Sequence, residues 1–395
     1  MFSTRLEWNL RPNRLSELLQ AKRASGATLL DLTESNPTRA GFIYPSEQIL
    51  HAFHDPRALH YEPTPAGLTT ARDAVAGYYA ARGQQVSPEC ILLTVSTSEA
   101  YSYIFKLLAD PGDEVLVPRP SYPLFDYLAA LESLRPVPYS LAYDGNWRVD
   151  FDALRRAVTP RTRAVVLVNP NNPTGSYIKK QELETLLPIC AEHGLAIVSD
   201  EVFSDYAFAP DPHRVQSLAG VEEVLTFCLS GLSKIAGLPQ MKAGWIVTGG
   251  PQHLLAQARE RLELIADTYL SVSTPVQHAL PQLLSLGEGL RKQIIGRVRE
   301  NMRFLENSVR GTACHALHAE GGWYAILQVP RTRSEEDWCL ALLERENVLV
   351  QPGFFYDFDV EAFLVVSLLT QPETFQEGME RLLAELNSNV QFDDF

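Results

Sequence analysis

Cysteine is scarce: five in 395 residues, at Cys90, Cys190, Cys228, Cys314 and Cys339, with no Cys-x-x-Cys. This is not a disulfide framework, and it points to buried reduced thiols in a reducing compartment. There is no basic block and the formal net charge is −14, so neither nucleic acid nor anionic membrane is expected as a partner. A small anion bound locally by backbone amides stays compatible with that charge. No apolar stretch approaches the length that spans a bilayer. The opening Met1-Phe2-Ser3-Thr4-Arg5-Leu6-Glu7-Trp8 lacks the apolar centre of a secretory signal, which makes the cytoplasm the expected location. Gly-x-Gly-x-x-Gly is absent, which argues against a dinucleotide fold. His51, His54 and His60 are loosely spaced, and Cys314-His315 with His318 fall short of four paired ligands, so no metal is expected.

What is present is a large apolar fraction, 46%, against 21% charged residues, the balance of a globular chain able to bury a sizeable core. Apolar runs at 90–95, 114–118, 164–168, 195–199 and 224–229 read as strands. Helical periodicity fills 69–82, 98–109 and 179–193. Near-continuous apolar strands separated by helices predict an α/β fold with a mostly parallel sheet covered on both faces. A partly helical segment over 5–25 and a short strand over 28–33 precede it. A long helical region over 276–310 leads to a smaller α+β unit ending near 390, and the acidic Asp393-Asp394-Phe395 reads as a loose tail.

In such a sheet, ligands bind beyond the carboxyl ends of the strands. The first of these ends runs into Ser96-Thr97-Ser98, which opens a helix and suits either a phosphate or an ordinary N-cap. The second runs into Arg119-Pro120-Ser121-Tyr122-Pro123, where Tyr122 can offer a flat face to a planar ring or pack as a surface aromatic. The third runs into Asn169-Pro170-Asn171-Asn172-Pro173-Thr174-Gly175, seven turn formers in succession, which mark a fixed loop. Asn172 there can donate to a phenolic oxygen. The fourth ends in Asp200-Glu201, a helix cap or a carboxylate able to pair with a protonated pyridine nitrogen. The fifth ends in Gly231-Leu232-Ser233-Lys234. An ammonium at the mouth of a buried strand is costly to desolvate, and one way to keep the lysine there is to make it an imine. In this order, on successive strands, the five features suggest pyridoxal phosphate held as a Schiff base on Lys234, whose amine, once freed, serves as general base.

The set resembles the class I/II aminotransferases, the aspartate-aminotransferase superfamily of fold type I. The resemblance rests on Asn171-Asn172-Pro173-Thr174-Gly175, Ser199-Asp200-Glu201, Leu232-Ser233-Lys234 and Tyr61…Gly67…Ala71-Arg72, and covers about residues 28–370. It implies that Lys234 carries the cofactor, Asp200 binds the pyridine nitrogen and Asn172 binds O3′. Tyr122 would stack on the ring, and Ser96, Thr97, Ser98, Ser233 and Lys242 would sit at the cofactor and its phosphate. Tyr61 would reach the neighbouring subunit's phosphate, which implies a homodimer with shared active sites. A large cofactor domain would span 48–280, with 1–47 and 281–395 forming the small one.

Four positions depart from the family pattern. Lys242 stands where a phosphate-binding arginine is usual, keeping the charge without the bidentate fork. Gly231 replaces a phosphate-binding serine, and Phe203 replaces a tyrosine that donates to O3′, a role for which Tyr206 is the alternative. Val365 occupies the place of the arginine that clamps the substrate α-carboxylate. An unpaired buried carboxylate would cost about 3–5 kcal/mol. Either another cation takes the role, Arg39 beside the Ser35-Asn36-Pro37 turn being the candidate with Asn36, or the substrate has no carboxylate there. The leading expectation is transamination between an amino acid or amine and a 2-oxo acid. The alternatives are a lyase, decarboxylase or cyclising enzyme using the same cofactor, and a non-catalytic pyridoxal-phosphate-binding regulatory module.

Overall fold

The structure is a computed structural model, and it describes residues 2–8 and 11–388. The expected loose tail lies outside these residues. An eight-stranded sheet forms the centre, in the order Ile91–Thr94, Gly244–Gly249, Thr226–Gly231, Ala196–Asp200, Thr162–Val168, Glu114–Arg119, Arg135–Tyr143, Trp147–Val149. The five strands from Thr226–Gly231 to Arg135–Tyr143 run parallel to one another, whereas Gly244–Gly249 is antiparallel to both of its neighbours and Trp147–Val149 is antiparallel to Arg135–Tyr143. The interior strands are buried almost without a break, as an apolar core between two helical layers requires.

All five strands expected from apolar runs form. Arg135–Tyr143 was not among them; it carries Pro136 and Pro138, which are rare inside a sheet. Here it lies next to the edge, and its outer side pairs with Trp147–Val149 only at residues 141–143, so the missing proline N–H groups cost little. The helices Thr69–Ala80, Thr97–Leu108 and Lys180–His193 form within two residues of expectation. Cys190, Cys228, Cys314 and Cys339 are buried and Cys90 is half-buried, all as free thiols.

One helix, Thr274–Ser308, ties the molecule together. Leu280, Leu283 and Leu290 belong to the core against the central sheet, and Ile294, Val298, Met302 and Leu305 to a second core. The expected boundary at 280 therefore falls inside this helix. The second core packs around an antiparallel sheet in the order His315–Ala316, Tyr324–Gln328, Phe363–Ser367, Gln351–Pro352. Leu15, Leu30 and Leu32 from the N-terminal segment join that core, and Leu30–Asp31 pairs in parallel with Val348–Leu349.

Candidate active site

The carboxyl ends of the parallel strands open into a cavity of about 440 Å³. It gathers Ser96, Thr97, Ser98, Tyr122, Asn172, Asp200, Ser233, Lys234 and Lys242 from six separate segments.

Ser96 is a true N-cap: its Oγ accepts from the Glu99 N–H at 3.2 Å, while Glu99 Oε2 accepts from the Val95 N–H at 2.8 Å. The cap reading is thus correct for Ser96. Thr97 and Ser98 follow it in the first helical turn, where amides and a positive helix end favour an anion. The asparagine-rich loop is buried and wired: Asn171 accepts from Ser121 Oγ at 2.9 Å and donates to the Pro120 carbonyl at 2.9 Å, binding the Tyr122 loop to the Asn172 loop. Asn172 itself is buried with its Oδ1 unpartnered. Gly175 (φ +69°) closes the loop, since a Cβ there would lie 2.5 Å from the Gly321 carbonyl oxygen.

Asp200 accepts from Tyr101 OH at 3.2 Å and from the Val202 N–H at 3.2 Å. Burial raises its carboxyl to about 6, against the opposing pull of those two donors and Lys234. Lys234 is driven the other way: burial lowers its amine to about 8, with the Asp200 charge resisting. A bound cationic ring nitrogen would draw Asp200 back to its anion. The short helix Leu232–Ile235 that bears Lys234 is pinned from behind. Arg291 donates to the Ile235 carbonyl at 3.0 Å, Tyr44 to the Gly237 carbonyl at 2.7 Å, and Tyr206 to the Lys234 carbonyl. Gly287 lets the long helix approach, for a Cβ there would lie 2.5 Å from Ala236 Cβ.

Three expected residues are not in the cavity lining. Asn36 spends its side-chain oxygen on its own turn, accepting from the N–H and Oγ1 of Thr38 at 3.0 and 2.7 Å. Its neighbour Ser35 lines the cavity instead. Arg39 is exposed, because the same turn carries it outward. Tyr61 is 77% exposed and borders a separate small pocket. Tyr206 cannot replace the missing tyrosine hydroxyl, since its own hydroxyl is spent on the Lys234 carbonyl. Phe203 lines the cavity, and Val365 is fully buried opposite Gln351 in the antiparallel sheet. Lys234 and Lys242 are the only cations among the lining residues. Tyr101, Tyr324, Gln351 and Tyr356 also line the cavity and were missed. The only sequence signal for Tyr101 was its place one turn into a helix that opens at the site.

The cavity is of a size for a substituted pyridine and offers it an amine, a carboxylate, the Asn172 side-chain amide and a helix N-terminus, so its residues fit pyridoxal phosphate. The model for aminotransferase class I and II matches residues 27–382. Glutamate-pyruvate aminotransferase AlaA of Escherichia coli K12 is 31% identical over 89% of each chain. An alanine aminotransferase of Mycobacterium tuberculosis is 28% identical over 91% of this chain and 86% of its own. A solved Escherichia coli aminotransferase superposes with a TM-score of 0.86 at 27% identity over 98% of both chains. Nothing in these comparisons favours the lyase, decarboxylase, cyclising or regulatory alternatives. The chain belongs to the class I and II aminotransferases, as a fold type I, pyridoxal-phosphate-dependent transaminase.

Proposed function

We propose that Lys234 is the residue that tethers the cofactor, and that the enzyme moves an amino group between an amino acid or amine and a 2-oxo acid. The observation that carries this reading is the meeting of Lys234, Asp200 and Asn172 in one cavity. When bound, pyridoxal phosphate supplies a sink for the electron pair left at the substrate carbon. Asp200 holds the protonated ring nitrogen, and Asn172 donates to the ring oxygen. Tyr122 covers the ring face. Thr97, Ser98 and the helix end behind them, with Ser96, Ser233 and Lys242, hold the phosphate. With its amine free, Lys234 Nζ would be the group that takes and returns the proton at the substrate carbon; an amine near 8 is well matched to that exchange.

Residues 48–280 form the cofactor domain in this reading, with 1–47 and 281–395 the smaller one. Tyr61 reaches the partner's phosphate across a homodimer, and the enzyme works in the cytoplasm. The relatives named for glutamate, pyruvate and alanine make small amino and oxo acids the first substrates to test. Arg39 serves as the acid clamp only if the Asn36 turn swings toward the cavity. Purified Lys234→Ala should lack the visible absorbance that borohydride bleaches in the wild type, and should not turn over. A variant keeping both removes this reading.

A further inference from the structure

The Lys234 side chain is half-buried, and its amine makes no hydrogen bond among the described residues. What it has is two aromatic faces: the Trp323 ring centroid at 4.8 Å and the Phe203 ring centroid at 5.5 Å. Both distances lie inside the range at which a cation is drawn to a ring face. The corner is built rigidly. Phe203 and Trp323 pack edge to face at 5.2 Å, and Tyr206 closes on Trp323 at 5.1 Å. Trp323 is fully buried, and its Nε1 has no acceptor. A buried tryptophan normally finds one, and leaving the N–H unmade is destabilising. Its placement makes sense for the ring face rather than for the polar edge.

We propose that Trp323, with Phe203, is a cation-holding corner of the reaction centre that receives the ε-ammonium of Lys234 whenever the amine is free of the cofactor. A proton taken from substrate would then rest over a ring face. The residue thus contacts the reacting nitrogen itself. The proposal rests on Lys234 being the tether. Asp200 is the one carboxylate facing this amine, held by Tyr101; Tyr122, Tyr324, Tyr356 and Lys242 line the same cavity, and Tyr206 and Arg291 are committed to carbonyls behind it.

The test uses full-length enzyme stripped of cofactor. The rate at which cyanate modifies Lys234, read on its peptide by mass spectrometry across pH, gives the amine's midpoint. Trp323→Leu should lower the midpoint by roughly 0.5–1.5 pH units, and Trp323→Phe by less. An unmoved or raised midpoint in Trp323→Leu, with a cooperative melt showing that it folds, overturns the corner. If that variant does not fold, Phe203→Leu decides: a lowered midpoint supports the corner, and an unchanged one overturns it. Pyridoxal phosphate uptake by the wild type, followed by absorbance, is scored separately, so failure of the cofactor reading is not confused with failure of the corner.

Discussion

Tyr206 gives its hydroxyl to the main-chain carbonyl of Lys234. The phenol nearest in sequence to Phe203 is therefore a brace for the lysine's helix and not a donor to the ring. In the proposed site, Asn172 would then be the donor to the ring oxygen. Phe203→Tyr should lower the pH midpoint of the cofactor's visible absorbance by supplying a second donor to the anion. Tyr206→Phe should leave that midpoint near the wild-type value and cost about 1 kcal/mol of stability. A spectral titration of both variants beside a thermal melt checks this, and the reverse pattern would show that the two roles are exchanged.

Lys234 makes the cofactor-free protein pH-sensitive in a defined window. Its amine is near 8 when folded, against 10.5 for the ordinary side chain. The strain of burying the ammonium is fully present below pH 8, and it fades as pH rises toward 10.5, because there the unfolded chain binds more protons. The full shift corresponds to on the order of 3 kcal/mol. Lys234→Met should raise the melting temperature of the cofactor-free enzyme at pH 7 and abolish its gain in stability between pH 8 and 10.5. The net gain is smaller than the full shift, since Asp200 loses a nearby cation. Equal pH slopes in the two proteins would show that the amine is not strained.

Gly231 is not a serine waiting to be restored. A Cβ at that position would lie 2.8 Å from both the Ala243 carbonyl oxygen and Gly244 Cα. Gly231→Ser should destabilise the protein by about 1–3 kcal/mol and bring no gain in cofactor affinity. Tighter cofactor binding with an unchanged melt would contradict the packing seen here.

Lys242 reaches the cavity from an exposed, left-handed backbone position (φ +50°). Its contribution should be that of a partly screened charge. Lys242→Ala should weaken cofactor affinity by roughly tenfold or less, with the loss shrinking in 1 M salt. Lys242→Arg should retain or improve affinity through its two-pronged geometry. Equilibrium titration at two salt concentrations measures both.

The sequence by itself determined the frame of this protein. Uninterrupted apolar runs could bury themselves only as inner strands of a parallel sheet. Whatever polar residues ended those runs had to meet at one rim, which is why Asp200, Asn172 and Lys234 were legible before any coordinates. Tertiary structure decided what local pattern cannot encode. Tyr101 reaches Asp200 across 99 positions of sequence, and Trp323 reaches Lys234 from another core. Arg39 and Asn36 were misplaced because a two-residue turn chooses which side chain faces inward, and hydrogen bonding to Thr38 turned Asn36 onto itself. The proline-bearing strand Arg135–Tyr143 became possible only beside an edge that needed few of its N–H groups. Periodicity fixes what must be buried, whereas the partner that buries or bonds it is set by long-range packing.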